Sequence, residues 1–125
     1  MAKFDSGRFS GTKGSLDDGF RRVEGYTTKL NRTRQAKHIP SCKGYISGRS
    51  IFKGSLDDAQ ALIEQYGGTG QRVGKSGYRE RVDFGVTIGT YVSQDGSVRV
   101  PTTRGIIYYS KSGAHIAPSR PRGME

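Results

Sequence analysis

Two histidines, an arginine and a cluster of hydroxyl groups carry most of the chemistry this sequence offers. His115 stands in residues 103–116, which read as two strands around a Gly113-bearing turn and gather Arg104, Tyr108, Tyr109, Ser110 and His115 into one hairpin. His38 lies in a separate loop beside Lys37. Histidine takes or gives a proton near neutral pH, and arginine pairs bidentately with phosphate. RNA can be cleaved by its own 2′-hydroxyl if a base removes that proton, an acid protonates the leaving 5′-oxygen and a cation holds the phosphate. His38, His115 and Arg104, with Ser110 or a tyrosine assisting, are residue types suited to those roles.

The hairpin must aim these groups. A three-residue Lys111-Ser112-Gly113 loop sets Tyr109 across from His115, and a two-residue Ser112-Gly113 turn sets Ser110 there. In both registers His115 and Ile116 point to opposite faces. Ile116 is the core residue, so His115 belongs to the open face. Residues 79–92 read as one strand, with Val82, Phe84, Val86, Ile88 and Val92 turned to the core. The opposite set includes Gly85 and Gly89, which would leave a shallow groove. Gln94-Asp95-Gly96-Ser97 signals a hairpin turn, and Ser97–Val100 a strand stopped by Pro101.

Residues 55–66 give the best helix. Ser55 caps it, Gly67 ends it, and Leu56, Ala59, Leu62, Ile63 and Tyr66 share one face. Asp57, Gln60, Glu64 and Gln65 form a solvated face. Residues 35–52 read as a long anchored loop and residues 1–34 as a loop-rich arm, with one short strand near Arg22–Thr28. The hexapeptide Lys-Gly-Ser-Leu-Asp-Asp occurs at 13–18 and again at 53–58, each copy carrying an N-cap signal. Two copies do not make a repeat protein. The expected fold is α+β: one principal amphipathic helix on an antiparallel sheet of about four strands, with a basic arm over 1–34, the main domain over 35–118 and a flexible tail over 119–125.

Composition points to an anionic partner. The 125 residues carry a net charge of +10. Residues 1–53 hold 12 Lys/Arg against 4 Asp/Glu, whereas 54–125 hold 9 against 7, so the charge is one-sided. Nucleic acid is the expected partner, with Lys37, Lys43, Arg49, Arg81, Thr103 and Lys111 as contacts. No apolar run of about 18 residues is present, so no membrane-spanning helix is expected. No apolar signal segment follows Met1. Cys42 is the single cysteine and forms neither an intrachain disulfide nor a cysteine zinc site. Two histidines without an acidic cluster do not supply a two-metal nuclease, so no metal or cofactor is expected. Gly74-Lys75-Ser76 lacks the spacing and following helix of a phosphate loop, and no Gly-x-Ser-x-Gly elbow is present. Glu80 and Asp83 read as ion-pair partners of Arg79 and Arg81.

Several stretches then resemble one family. Gln35-Ala36-Lys37-His38-Ile39-Pro40, Tyr45-Ile46-Ser47-Gly48-Arg49-Ser50, Tyr66-Gly67-Gly68-Thr69-Gly70, Glu80-Arg81-Val82-Asp83-Phe84 and residues 101–118 look, in that order, like the polymorphic toxin type 50 domain. The resemblance implies a ribonuclease with a barnase–EndoU–colicin–RelE-like fold, acting in the cytoplasm of the producing or target bacterium. It also implies a cognate immunity protein, and RNA, with tRNA a candidate, as substrate. A monomer is expected. Lys37, His38, Arg81, Asp83, Thr103, Arg104, Ser110 and His115 occupy matching positions. Where the family pattern has His-Tyr-Ser, this chain has Tyr108-Tyr109-Ser110, which leaves Tyr108 as a substitute group or the mark of an altered site. The chain opens at Met1 without a long delivery region, which suits a phage or mobile-element protein. The alternative to a nuclease is a silent nucleic-acid-binding or virion-associated module using the same basic face.

Overall fold

The computed structural model describes residues 19–124. The first hexapeptide copy, the rest of residues 1–18 and Glu125 lie outside them. The longest helix among the described residues, α2 (Leu56–Tyr66), starts where the second copy predicts. Ser55 Oγ accepts from the Asp58 N–H at 3.1 Å, and Asp58 Oδ2 accepts from the Ser55 N–H at 2.9 Å. Those bonds hold the Asp58 carboxyl below its ordinary range. Ala59 and Ile63 are fully buried one helical turn apart, flanked by Leu56, Leu62 and Tyr66. Gly67 ends the helix, its N–H donating to Ile63 O at 2.8 Å while its ψ of 128° leaves the helical region, and Gly68, at φ +91°, takes the left-handed turn.

The helix packs against a four-stranded antiparallel sheet ordered β4 (Gln71–Arg72), β5 (Tyr78–Asp83), β8 (Arg104–Ser110) and β9 (Gly113–Pro118). Alternation is clean along β8: Gly105, Ile107 and Tyr109 are buried, whereas Arg104, Ile106, Tyr108 and Ser110 face outward. Ile107 and Ile116 pair across β8 and β9 with no exposed surface. The fold is thus α+β, as expected, but strands outweigh helices and the strands form more than one sheet. A three-stranded sheet orders β3 (Ile51–Phe52), β6 (Gly89–Val92) and β7 (Arg99–Thr102). A short hairpin pairs β1 (Arg22–Val23) with β2 (Tyr26–Thr27).

Several expectations are corrected here. Residues 79–92 are two strands in different sheets. Asp83 Oδ1 accepts from the Gly85 N–H at 3.0 Å, and Gly85 sits at φ +78°, so the chain bends between Phe84 and Ile88. Val86 falls at that bend and is 63% exposed, although its spacing marked it for the core. Gly89 opens no groove: a Cβ there would lie 2.0 Å from the Ile51 carbonyl oxygen and 3.1 Å from Pro118 Cγ. Pro101 lies within edge strand β7 instead of stopping a strand before it.

Residues 19–34 are part of the body. Val23 and Leu30 join the core, and Arg21 donates to the carbonyls of Ile63, Glu64 and Gly67. Gln60 bonds Leu30 N–H and Thr28 O, and Glu64 accepts from the Thr28 hydroxyl, so this side of α2 holds the chain and is not simply solvated. At the other end, Ser119 N–H donates to Arg104 O at 2.9 Å and Arg122 pairs with Asp83 at 3.3 Å.

Glu80 is not an ion-pair partner of its neighbouring arginines. It has no exposed surface, and it accepts from Gly68 N–H and Gly70 N–H, each at 2.7 Å, and from the Tyr109 hydroxyl at 2.6 Å. Burial and this carboxylate keep the Tyr109 hydroxyl protonated far above its ordinary range. Glu80→Gln puts an amide N–H₂ among groups that all donate. It is expected to lower unfolding free energy in urea by about 1–3 kcal/mol; an unchanged midpoint would remove Glu80 from this role.

Candidate active site

The hairpin joining β8 and β9 closes through Lys111-Ser112, pairing Ser110 with Gly113 and Tyr108 with His115. Neither expected register holds: Tyr108, not Tyr109 or Ser110, lies across from His115. Gly113 lies at φ +127°, and a Cβ on it would stand 2.8 Å from Lys29 O and 2.9 Å from Asn31 N, so only glycine fits there, while Ala114 is bonded to Lys29 O and Asn31 N–H. His115 does lie on the face opposite Ile116, as its alternation requires.

Tyr108 and His115 stack with ring centroids 5.0 Å apart and planes 12° apart. His38 lies 6.0 Å from His115 in an offset stack with planes 19° apart. The Arg79 guanidinium stands 6.0 Å from the centre of the Tyr108 ring. Arg79, Tyr108, His115 and His38 therefore form one column of side chains that runs from the outer face of the sheet to His38, which is buried.

The helix that brings His38 here, α1 (Arg32–Ala36), straddles the expected arm over 1–34 and the expected loop over 35–52, neither of which reads as helical in sequence. Asn31 caps it by accepting from Arg34 N–H at 3.1 Å, and its last turn extends to His38, whose N–H donates to Gln35 O. Gln35 is fully buried and fastens this helix to β9. Its Nε2 donates to Ile116 O at 3.0 Å and its Oε1 accepts from Ile116 N–H at 2.7 Å. Gln35 is three residues before His38, and Ile116 is next to His115. Nothing in the periodicity of the sequence marked Gln35; only its short spacing to His38 could have drawn notice.

His38 Nδ1 lies 2.8 Å from Ser50 O. A carbonyl only accepts, so in the neutral ring Nδ1 carries the proton and Nε2 keeps the lone pair. Burial lowers the pKa of His38; the Ser50 carbonyl opposes this, and the charges of Arg49 and Lys37 add to the lowering. Burial also pushes His115 down to about 4, with His38, Arg34, Lys37 and Arg49 contributing. Both rings are neutral at pH 7, and protonating one opposes protonating the other.

The other expected site residues are spread more widely. Ser110 Oγ donates to Gly113 O at 3.0 Å and contacts Ser112 Oγ, so it serves the turn. Arg104 shares the outer face with Tyr108 but is four residues away, about 13 Å along the strand. Arg79 takes the nearer position. Thr103 donates to the Asp83 carboxyl, which Gly85, Thr103 and Arg122 hold below its ordinary range. Lys37 acts on both histidines through its charge, as does Arg49. Lys43 and Lys111 are exposed in turns. Arg81 and Arg104 border two cavities. The larger, about 670 Å³, reaches Asp83 and Arg122 but neither histidine. The smaller, about 420 Å³, includes Tyr108 in its lining. Among the described residues, no group of three or more His, Cys, Asp or Glu side chains is arranged to hold a metal. No helix among them is long and apolar enough to cross a membrane.

Two measurements test this geometry. Because both histidines have lowered pKa values, the unfolded chain binds more protons than the native one below pH 6.5. The melting temperature should therefore fall between pH 6.5 and about 4, whereas the lowered carboxyls Asp58, Asp83 and Asp95 act only below their ordinary 3.8. A flat profile across that upper window would contradict the buried pair. Gln35→Ala should cost about 2–4 kcal/mol and let His115 titrate nearer 6.5 when followed by NMR; an unmoved His115 would show that Gln35 does not position it.

A search of curated proteins finds no match to this chain. The family model of bacterial toxin 50 matches residues 30–118, from the bridge between Leu30 and Ala114 to the end of β9. That span takes in both histidines, Gln35 and the hairpin, and it starts ahead of the boundary expected at residue 35. The chain belongs to the bacterial toxin 50 family.

Proposed function

We propose that this protein is a metal-independent endoribonuclease. The observation that carries the reading is the His38–His115 pair, 6.0 Å apart on a cation-rich face and stacked on Tyr108. His38 Nε2, oriented by Ser50, takes the proton from a ribose 2′-hydroxyl. The 2′-oxygen attacks phosphorus, the bond from phosphorus to the 5′-oxygen breaks, and His115 donates a proton to that oxygen. The products are a 2′,3′-cyclic phosphate and a 5′-hydroxyl. In the free protein the lowered pKa of His115 makes the acid scarce. A bound phosphodiester offsets the charges of Arg34, Lys37 and Arg49 and favours the imidazolium, and the Tyr108 ring stabilises that cation further. The site thus gains its proton as substrate enters.

RNA is the proposed partner, with tRNA among the targets, and the site of action is the cytoplasm of the producing or a target bacterium. Toxin-family membership supports a cognate immunity protein as a second proposed partner. A second reading, nucleic-acid binding without cleavage, draws on Tyr108, because a tyrosine there leaves only two histidines in the column.

Purified protein incubated with total RNA and tRNA in EDTA should give fragments ending in cyclic phosphate. His38→Ala and His115→Ala should each lower kcat/KM by about 100-fold or more. The kcat/KM profile should peak below pH 6.5. Intact RNA at micromolar protein would sink the nuclease reading; a mobility shift that weakens steeply with salt would then support binding alone. Cleavage unchanged in His115→Ala would overturn its assigned role.

A further inference from the structure

The smaller cavity adjoins the histidine column without containing either ring. Its volume, about 420 Å³, falls within the range of small-molecule sites. Tyr108 is among its lining residues, as are Arg81, Arg104 and Arg120, and no carboxylate is. Ile106 and Ala117, paired across β8 and β9, make an apolar floor. Tyr91 is held at its hydroxyl end, where Arg120 Nε donates at 3.2 Å. Ser119 also lines the cavity, and its Oγ is the one buried side-chain oxygen or nitrogen without a hydrogen-bond partner among the described residues.

These features select a ligand by chemistry. Guanidinium groups around a cavity whose lining holds no carboxylate favour a ligand that carries negative charge. An apolar floor beside an aromatic ring demands a flat apolar surface, which a bare anion lacks. An unmatched hydroxyl asks for a polar group. Tyr108 already stacks on His115 and faces Arg79, which makes Tyr91 the stacking platform. We infer that this cavity is a nucleotide subsite, with the base on Tyr91, the phosphate among the lining arginines, and a ribose hydroxyl within reach of Ser119. Placing that nucleotide next to a scissile phosphate at the histidines rests on the ribonuclease reading. The floor lies two residues, about 7 Å, along β8 from Tyr108, which is the adjacent position on a strand.

The test reads binding without cleavage. The full chain, labelled with nitrogen-15 and kept in EDTA, is titrated with 5′-AMP and separately with ribose 5-phosphate, which lacks the base. AMP should shift the amides of Tyr91, Ala117 and Ser119 and bind roughly ten-fold more tightly than ribose 5-phosphate. Tyr91→Ala should abolish that advantage, whereas Tyr91→Phe should keep it. Tyr91→Leu, which retains an apolar strand residue, serves if the alanine variant fails to fold. Equal affinity for the two probes would overturn the subsite, as would no binding at millimolar AMP. Shifts centred on Thr69 and Gln71 in the larger cavity would do the same. If AMP binds as described but RNA stays intact, the subsite stands and the nuclease reading falls. If RNA is cleaved but no AMP binds at Tyr91, the nuclease reading stands and the subsite falls.

Discussion

A single buried amide fixes the candidate site. Gln35 meets both backbone groups of Ile116 as a neighbouring strand would, through one donated and one accepted bond. Neither Gln35 nor Ile116 carries the chemistry. Each stands close in sequence to a histidine that does, so the distance between His38 and His115 is set by a contact in the dry interior. A histidine on a loop would need its position fixed by its own contacts. Here a short helix, an Asn31 cap and one side-chain amide fix it first, and Ser50 then selects the tautomer.

The site also concentrates unfavourable charge. Two imidazoles are partly removed from water among Arg34, Lys37 and Arg49, and each of those cations disfavours protonation of His115. Such an arrangement costs stability as the pH falls and gains it back when an anion arrives. The opposite side of the same sheet is built differently. There a carboxylate without exposure is matched by two N–H groups and a phenol, and the Gly67–Gly70 segment is tied down. One face of β5 and β8 buries a carboxylate that three donors satisfy, and the other carries Arg79, Arg81 and Arg104 beside the single carboxylate of Asp83.

How much of this was legible depended on range. The α2 helix could be read because its cap and its apolar spacing are local. The side chosen by His115 could be read because alternation needs only its neighbour Ile116. The register could not, since Gly113 is placed by Lys29 and Asn31, more than 80 residues upstream. Val86 kept the alternating spacing across a bend made by Asp83 and Gly85, so periodicity misled there. Gln35 was invisible because a polar residue in a polar stretch gives no sign of full burial. Arg79 and Arg104 look alike in sequence, and only the pairing of Arg79 with Tyr108 decides which stands over the column. Residues 19–34 lack any period, yet Leu30 bridges to Ala114 and enters the core.

The segment around Gln35 has one more consequence. Strand β9 lies at the border of its sheet, and six residues of unpaired backbone at such a border would template association with another chain. Lys29, Asn31 and Gln35 occupy its hydrogen-bonding groups at Ala114 and Ile116. Among the described residues, the remaining borders are two-residue strands or the proline-bearing β7. Positioning of His38 and protection against strand-to-strand aggregation thus come from the same stretch of chain. Any change that frees that stretch would dismantle the histidine pair and expose an adhesive edge together, so damaged molecules would leave solution as they lose the site.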